Sequence, residues 1–273
     1  MRSVNSALQE NWQEFYYSSI SKDKTFIYVS TIFLSPEKEI CIFLKVDSSH
    51  LIIEQAFLES IGRFAKNGKA ERSALTELIG MKAFPEANRY IFQLSSMTSR
   101  LKILLNDSFN SIIQGEAYFF RERGFQTKQE YDNYCMQTYN INCRFSGERL
   151  KEGPTWMEYV GSYVRQNILY NKFKHITLTK NMICGFMSDS FHEMNANLKY
   201  QIDQTVTDSV IQILRAPGKA CFENEMHHIN LIGKKIGSLD YKFLKNAVGG
   251  KKGCFHLLDL LQCMDLAISE KNI

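Results

Sequence analysis

The sequence contains no apolar run approaching the roughly 18 to 20 residues that a membrane span needs. Its first residues, MRSVNSALQENWQEF, lack the apolar core of an export signal. A membrane protein is therefore not expected, and a cytoplasmic one is. Charge imbalance is also small. A net charge of +4 over 273 residues is accounted for by a solvated surface and gives little reason to expect nucleic acid. The seven cysteines are odd in number, irregularly spaced and never arranged as Cys-x-x-Cys. Reduced thiols are expected from this, not a disulfide framework.

What is present is enough for two ordinary domains. Hydrophobic residues make up 44% of the chain and charged residues 23%, a globular composition that can bury its cores without disulfides or an obligatory metal. Two anchors recur in one order: Gly68-Lys69-Ala70-Glu71 against Gly218-Lys219-Ala220-Cys221, then Leu78-Ile79-Gly80 against Leu231-Ile232-Gly233. Apolar helical patterns follow both, Leu101 to Ile113 and Cys254 to Ile268. Such ordered self-similarity implies an internal duplication.

Local patterns give each copy strands first and helices after. Thr25–Phe33 and Ile40–Leu44 are rich in β-branched and aromatic residues and flank Ser-Pro-Glu-Lys, so they read as paired strands. Thr205–Leu214 reads as the last strand before a helical half. From Cys221 the spacing turns helical, with Phe222, Met226, Ile229 and Ile232 able to share a face and Gly233 as a stop. A second helix is predicted from Ser238 to Val248, and a last one buries Leu257, Leu258, Leu260, Leu261, Met264 and Ile268. The predicted class is α+β: two tandem modules, each an antiparallel sheet with helices on one face, over residues 1–115 and 155–273, joined by a helical connector at 116–154.

The residues able to carry chemistry concentrate in the second copy. In Gly249-Gly250-Lys251-Lys252-Gly253-Cys254-Phe255-His256, glycines free the backbone N–H groups to converge, and the helix that follows adds positive potential at its start. A thiolate at Cys254 is favoured there, the lysines acting in the same direction. Lys251, Lys252 and Gly253 are the expected anion or cofactor contacts. Cys221 opens another helix, and Cys184 offers a third sulfur. With His256 these thiols make a set suited to zinc or an iron–sulfur cluster. Cys41, Cys135, Cys143 and Cys263 are assigned to packing, and His227-His228 to a helix surface. The first copy has Glu71 opposite Cys221, and an ungapped extension sets Leu101 and Ile103 opposite Cys254 and His256.

The stretch from Cys221 to Ala267 resembles a bacterial domain family of unknown function. The likeness rests on Pro217, Cys221, Leu231-Ile232-Gly233, Gly249-Gly250, Lys252, Gly253-Cys254-Phe255-His256-Leu257 and Asp259. More distantly, the order Cys184-Gly185, Cys221, Cys254 is similar to that of the NifU/IscU-type iron–sulfur scaffold fold. That resemblance implies an aspartate near the first cysteine, for which Asp189 is the candidate, and a histidine before the last cysteine, whereas His256 follows Cys254.

Three functions follow as expectations. The first is a metal- or sulfur-handling protein using Cys221, Cys254, His256 and Cys184. The second is an enzyme with Cys254 as nucleophile and His256 or His228 as base; the sequence carries no oxyanion or substrate motif for it. The third is a non-catalytic module binding an anionic ligand or an acidic protein, for which the basic excess between Arg215 and Gly253 is suited.

Overall fold

The computed structural model describes residues 12–62, 71–138, 168–216, 219–248 and 253–271. The anchor Gly68-Lys69-Ala70, the pair Pro217-Gly218, Gly249-Gly250, Lys251, Lys252 and Cys143 lie outside the described residues. The chain divides into two units. Among the described residues, 15–138 and 168–173 form an N-terminal unit, and 12–14 and 174–271 form a C-terminal unit.

The fold is mixed α and β with antiparallel strands. In the N-terminal unit these are β1 (Trp12–Lys22, from Phe15 onward), β2 (Phe26–Leu34), β3 (Lys38–Asp47), β4 (Ile53–Gly62) and β5 (Glu71–Ala74), in the order β5-β4-β3-β2-β1. Strict alternation along β2 buries Ile27, Val29, Thr31 and Phe33 on one face, because successive strand residues point to opposite sides. After the short helix α1 (Asn88–Gln93), helix α2 (Ser99–Gly115) covers that face, capped by Thr98, whose Oγ1 accepts from Leu101 N at 3.3 Å. Helix α3 (Lys128–Thr138) follows within the segment expected to be a helical connector.

Strand β6 (Ile168–Leu178) contributes its residues up to Phe173 to the N-terminal unit and those from Lys174 to the C-terminal one. The sequence reading gives each copy a sheet of its own; a strand divided between the units departs from it. In the C-terminal unit, β7 (Met182–Asp189), β8 (Glu193–Tyr200) and β9 (Val206–Arg215) continue from β6 as antiparallel neighbours. A 3-10 helix (Lys219–Leu231), α4 (Tyr241–Val248) and α5 (Phe255–Lys271) follow. All six residues predicted for the buried stripe of α5 are buried. Helix α4 begins three residues later than expected. Asp240, not Ser238, accepts from a first-turn N–H, that of Phe243 at 2.6 Å.

The segment after Cys221 differs more. It is a 3-10 helix, and Phe222, Met226, Ile229 and Ile232 are exposed, Met226 at 71%. Its docked side carries Cys221, Asn224 and Leu231, all buried. Leu231-Ile232-Gly233 is a turn in which Gly233 takes φ of 77°, a conformation that favours glycine.

Gly185 sets how close α5 comes to the sheet. A Cβ there would stand 2.6 Å from Met264 Sδ and 3.1 Å from Leu260 Cδ1, so the missing side chain lets the helix lie against β7. The same helix is tied to β6 by a buried ion pair, Lys174 Nζ to Asp259 Oδ1 at 2.9 Å. Within the N-terminal unit Lys172 makes the corresponding bond to Asp107 of α2 at 2.5 Å. Two charges taken out of water stabilise little as a pair, but each is costly without the other. Lys174→Met is therefore expected to cost about 3–5 kcal/mol in urea unfolding, and the double variant Lys174→Met/Asp259→Leu to recover most of it; equal losses in both would contradict a charge-compensation role.

Candidate metal centre

The centre is built first by a turn. Between β7 and β8 the chain reverses over Asp189-Ser190-Phe191-His192, closed by Asp189 N donating to His192 O at 2.9 Å. Asp189 Oδ1 accepts from Phe191 N at 2.7 Å and from His192 N at 2.6 Å, the side-chain turn that aspartate forms because its carboxylate reaches N–H groups two and three residues on. Arg215, at the end of β9, clasps the turn from outside. It donates to the carbonyls of Asp189 at 2.8 Å, Ser190 at 3.2 Å and His192 at 3.3 Å. The turn thus positions a carboxylate and an imidazole side by side, with His192 Nδ1 3.0 Å from Asp189 Oδ1.

Helix α5 supplies the second imidazole. His256 is its second residue, and its Nε2 lies 3.2 Å from Asp189 Oδ2. The two rings stand 4.1 Å apart between centroids at 31°. One donor atom from each of Asp189, His192 and His256 falls within 4.8 Å of the others, and each residue is 3% exposed. Cys221 hydrogen-bonds His192. Its own carbonyl accepts from Asn224 Nδ2 at 2.7 Å, and both residues are buried.

Burial by itself pushes the Asp189 carboxyl up, but His192 and His256 outweigh it and hold it well below the usual carboxylate range. Burial likewise pushes His192 down. Asp189, with help from Cys221, reverses this and raises it from 6.5 to about 9.

Residues 173–269 match the family described as "Protein of unknown function (DUF2889)". The matched span runs from β6 into α5 and contains Asp189, His192, Cys221 and His256. No curated protein and no solved structure matches the chain. The family resemblance drawn from the C-terminal signature was to a domain of unknown function, and the match is of that kind.

Of the sites predicted from sequence, His256 and Cys221 come together around His192. Cys254 is buried at the residue before α5, its N–H donating to Val248 O at 2.9 Å and its carbonyl accepting from Leu258 N at 3.0 Å. Cys184 is placed elsewhere. Five residues from Asp189 on one strand, it lies on the opposite sheet face and is half-buried. Gly253 is buried, and Lys251 and Lys252 are outside the described residues. His228 of the expected catalytic pair lies on the 3-10 helix, its carbonyl accepting from Ser209 Oγ at 2.6 Å.

His192 was not foreseen, and Asp189 only through the scaffold resemblance. Their local signal was Asp-x-x-His filling a short reversal between two alternating strands, a pattern that also serves an ordinary turn.

Linkage fixes the sign of the pH response. Asp189, lowered on folding, stabilises above its ordinary value near 3.8 and loses that contribution as pH falls below it. His192, raised on folding, stabilises fully below 6.5 and loses that contribution as pH rises through about 9. In chelator-treated protein the thermal midpoint should fall between about pH 6.5 and 9, and His192→Gln should flatten that limb. A chelated wild type with a level alkaline limb would contradict the buried imidazolium–carboxylate pair.

Proposed function

We propose that the C-terminal unit is a metal- or sulfur-handling module holding one zinc or iron ion through Asp189, His192 and His256, with the Cys221 thiolate completing the set. One observation carries this reading: three donor residues from two elements, all buried, converge within 4.8 Å. The chemistry of the donors supports it further. Imidazole nitrogen, one carboxylate and a thiolate suit zinc or iron, whereas calcium and magnesium prefer all-oxygen shells. The iron–sulfur cluster raised by sequence is the weaker alternative, because such clusters draw mainly on thiolates and Cys184 lies on the far face.

A second reading rests on the chain Cys221–His192–Asp189, in which a thiol, an imidazole and a buried carboxylate are linked in sequence. That is the order a cysteine nucleophile, its base and the base's orienting carboxylate require. It moves the nucleophile expected at Cys254 to Cys221.

We infer in addition that the two units are diverged copies. Left-handed backbone occurs at Leu51 and Gln204 and at Gly80 and Gly233, and isolated bridges join Ile52 to Lys82 and Thr205 to Lys235. All four pairs share one offset in sequence. The turn between β2 and β3 parallels the one between β7 and β8. Ser35 N donates to Lys38 O, and Ser35 Oγ accepts from Glu37 N and Lys38 N. Serine and lysine thus stand where the C-terminal unit has Asp189 and His192. Aligning Asp107 with Asp259 sets Leu104 opposite His256, one residue from the Ile103 given by the ungapped extension. The N-terminal copy keeps the scaffold and carries none of the three donors.

Elemental analysis of protein purified without chelator tests the metal reading. About one zinc or iron per chain is expected, with His256→Ala and Asp189→Asn lowering affinity at least tenfold and Cys184→Ser leaving it unchanged. Metal-free protein whose thermal midpoint does not move on adding zinc would defeat it. Fast alkylation of Cys221 in that protein, slowed by His192→Ala, would then favour the nucleophile.

A further inference from the structure

The 3-10 helix that presents Cys221 inward presents an apolar ridge outward. Met226 and Ile229 are spaced by three, the period at which side chains of a 3-10 helix eclipse one another, and are 71% and 60% exposed; Ile232, in the turn just after the helix, is 45% exposed. Phe222, near the start of the helix and four residues before Met226, is 41% exposed and stands off that line. Contiguous exposed side chains of this size mark an interaction surface more often than chance exposure does. The opposite face of the helix is committed: Glu225 accepts from Ile213 N at 2.7 Å, Ser209 donates to His228 O, and Leu231 is fully buried.

The charged border of the ridge is mostly basic. Helix α4 lies alongside, held by Asn230 Nδ2 donating to Ala247 O at 2.8 Å and by Lys234 Nζ 5.4 Å over the Phe243 ring. Lys234, Lys235 and Lys242 are exposed there and Lys245 half-buried. Of the acidic residues in the same stretch, Glu225 turns to β9 and Asp240 caps α4, so that four lysines stand against two exposed carboxylates, Glu223 and Asp240. A second copy would bring two basic borders together.

We propose that this ridge docks an acidic amphipathic helix of a partner protein, apolar side chains on the Met226–Ile229–Ile232 line and carboxylates against Lys234, Lys235, Lys242 and Lys245. A narrow ridge suits the groove of one helix, and methionine at its most exposed point adapts to the partner's shape. The surface lies on the side of the 3-10 helix turned away from buried Cys221, and binding there does not require a metal.

The test uses the full chain and a fluorescein-labelled synthetic helix of about 18 residues, with leucines at i, i+3, i+4 and i+7 and glutamates on both flanks. A control peptide carries lysines in place of the glutamates. Anisotropy should show the acidic peptide binding at least tenfold more tightly than the basic one. Met226→Glu/Ile229→Glu should weaken it at least tenfold, and Lys234→Glu/Lys242→Glu about fivefold with loss of salt dependence. Unchanged thermal midpoints show that these exposed variants fold, and Met226→Ser/Ile229→Ser serves if the glutamates disturb folding. Equal binding of the two peptides, or no binding, overturns the proposal. So does binding only to vesicles containing phosphatidylserine, or a dimer in sedimentation that Met226→Glu/Ile229→Glu abolishes.

Discussion

The C-terminal unit is organised around one carboxylate. Asp189 sits at the end of a strand, accepts two backbone N–H groups of its own turn, and stands between two imidazoles with almost no contact with water. A buried charge persists only when it is paired and hydrogen-bonded, and each partner of Asp189 comes from a different level of the fold. The turn contributes His192, the last helix contributes His256, and Arg215 of β9 holds the turn's carbonyls from outside. Loss of any one leaves the others with an unpaired charge or an unfilled acceptor, so packing and chemistry are coupled there.

That coupling explains features that look merely structural. Gly185 lets α5 lie close on β7, which brings His256 within reach of Asp189. The Lys174–Asp259 pair anchors the same helix one turn beyond His256. A larger residue at Gly185 or a broken ion pair would disturb the seat of the helix that carries the imidazole. The proposed metal shell would tolerate such errors poorly, since ligand distances are set to within about 0.2 Å.

Much of the fold was legible in the sequence because burial alternates or recurs there in plain form. Strand β2 and the apolar stripe of α5 announce themselves by period alone. Strand β1 does not. Its inward face carries Glu14 and Ser18 beside Tyr16 and Ile20, so polar residues interrupt the apolar alternation. In the stretch after Cys221 the helical spacing was legible, but where its apolar residues turn was not. Its apolar spacing signals a helix face, but periodicity cannot say whether that face meets the core or a partner, and here it meets solvent. The site was half legible. Gly-Cys-x-His drew attention to the start of α5, yet the residues that complete the cluster lie in a turn some sixty residues earlier. Only the pairing of β7 with β8 and the packing of α5 bring them together. Cys184 was favoured by its neighbour glycine and excluded by strand parity, which no motif records.

The most direct test of a metal held by Asp189, His192 and His256 is an anomalous difference map from crystals of zinc-loaded protein at the zinc edge. The account predicts a single strong peak about 2.0–2.3 Å from His192, His256, Asp189 and the Cys221 sulfur. A map with no peak there, with the His192 and His256 rings still stacked around Asp189, would contradict it.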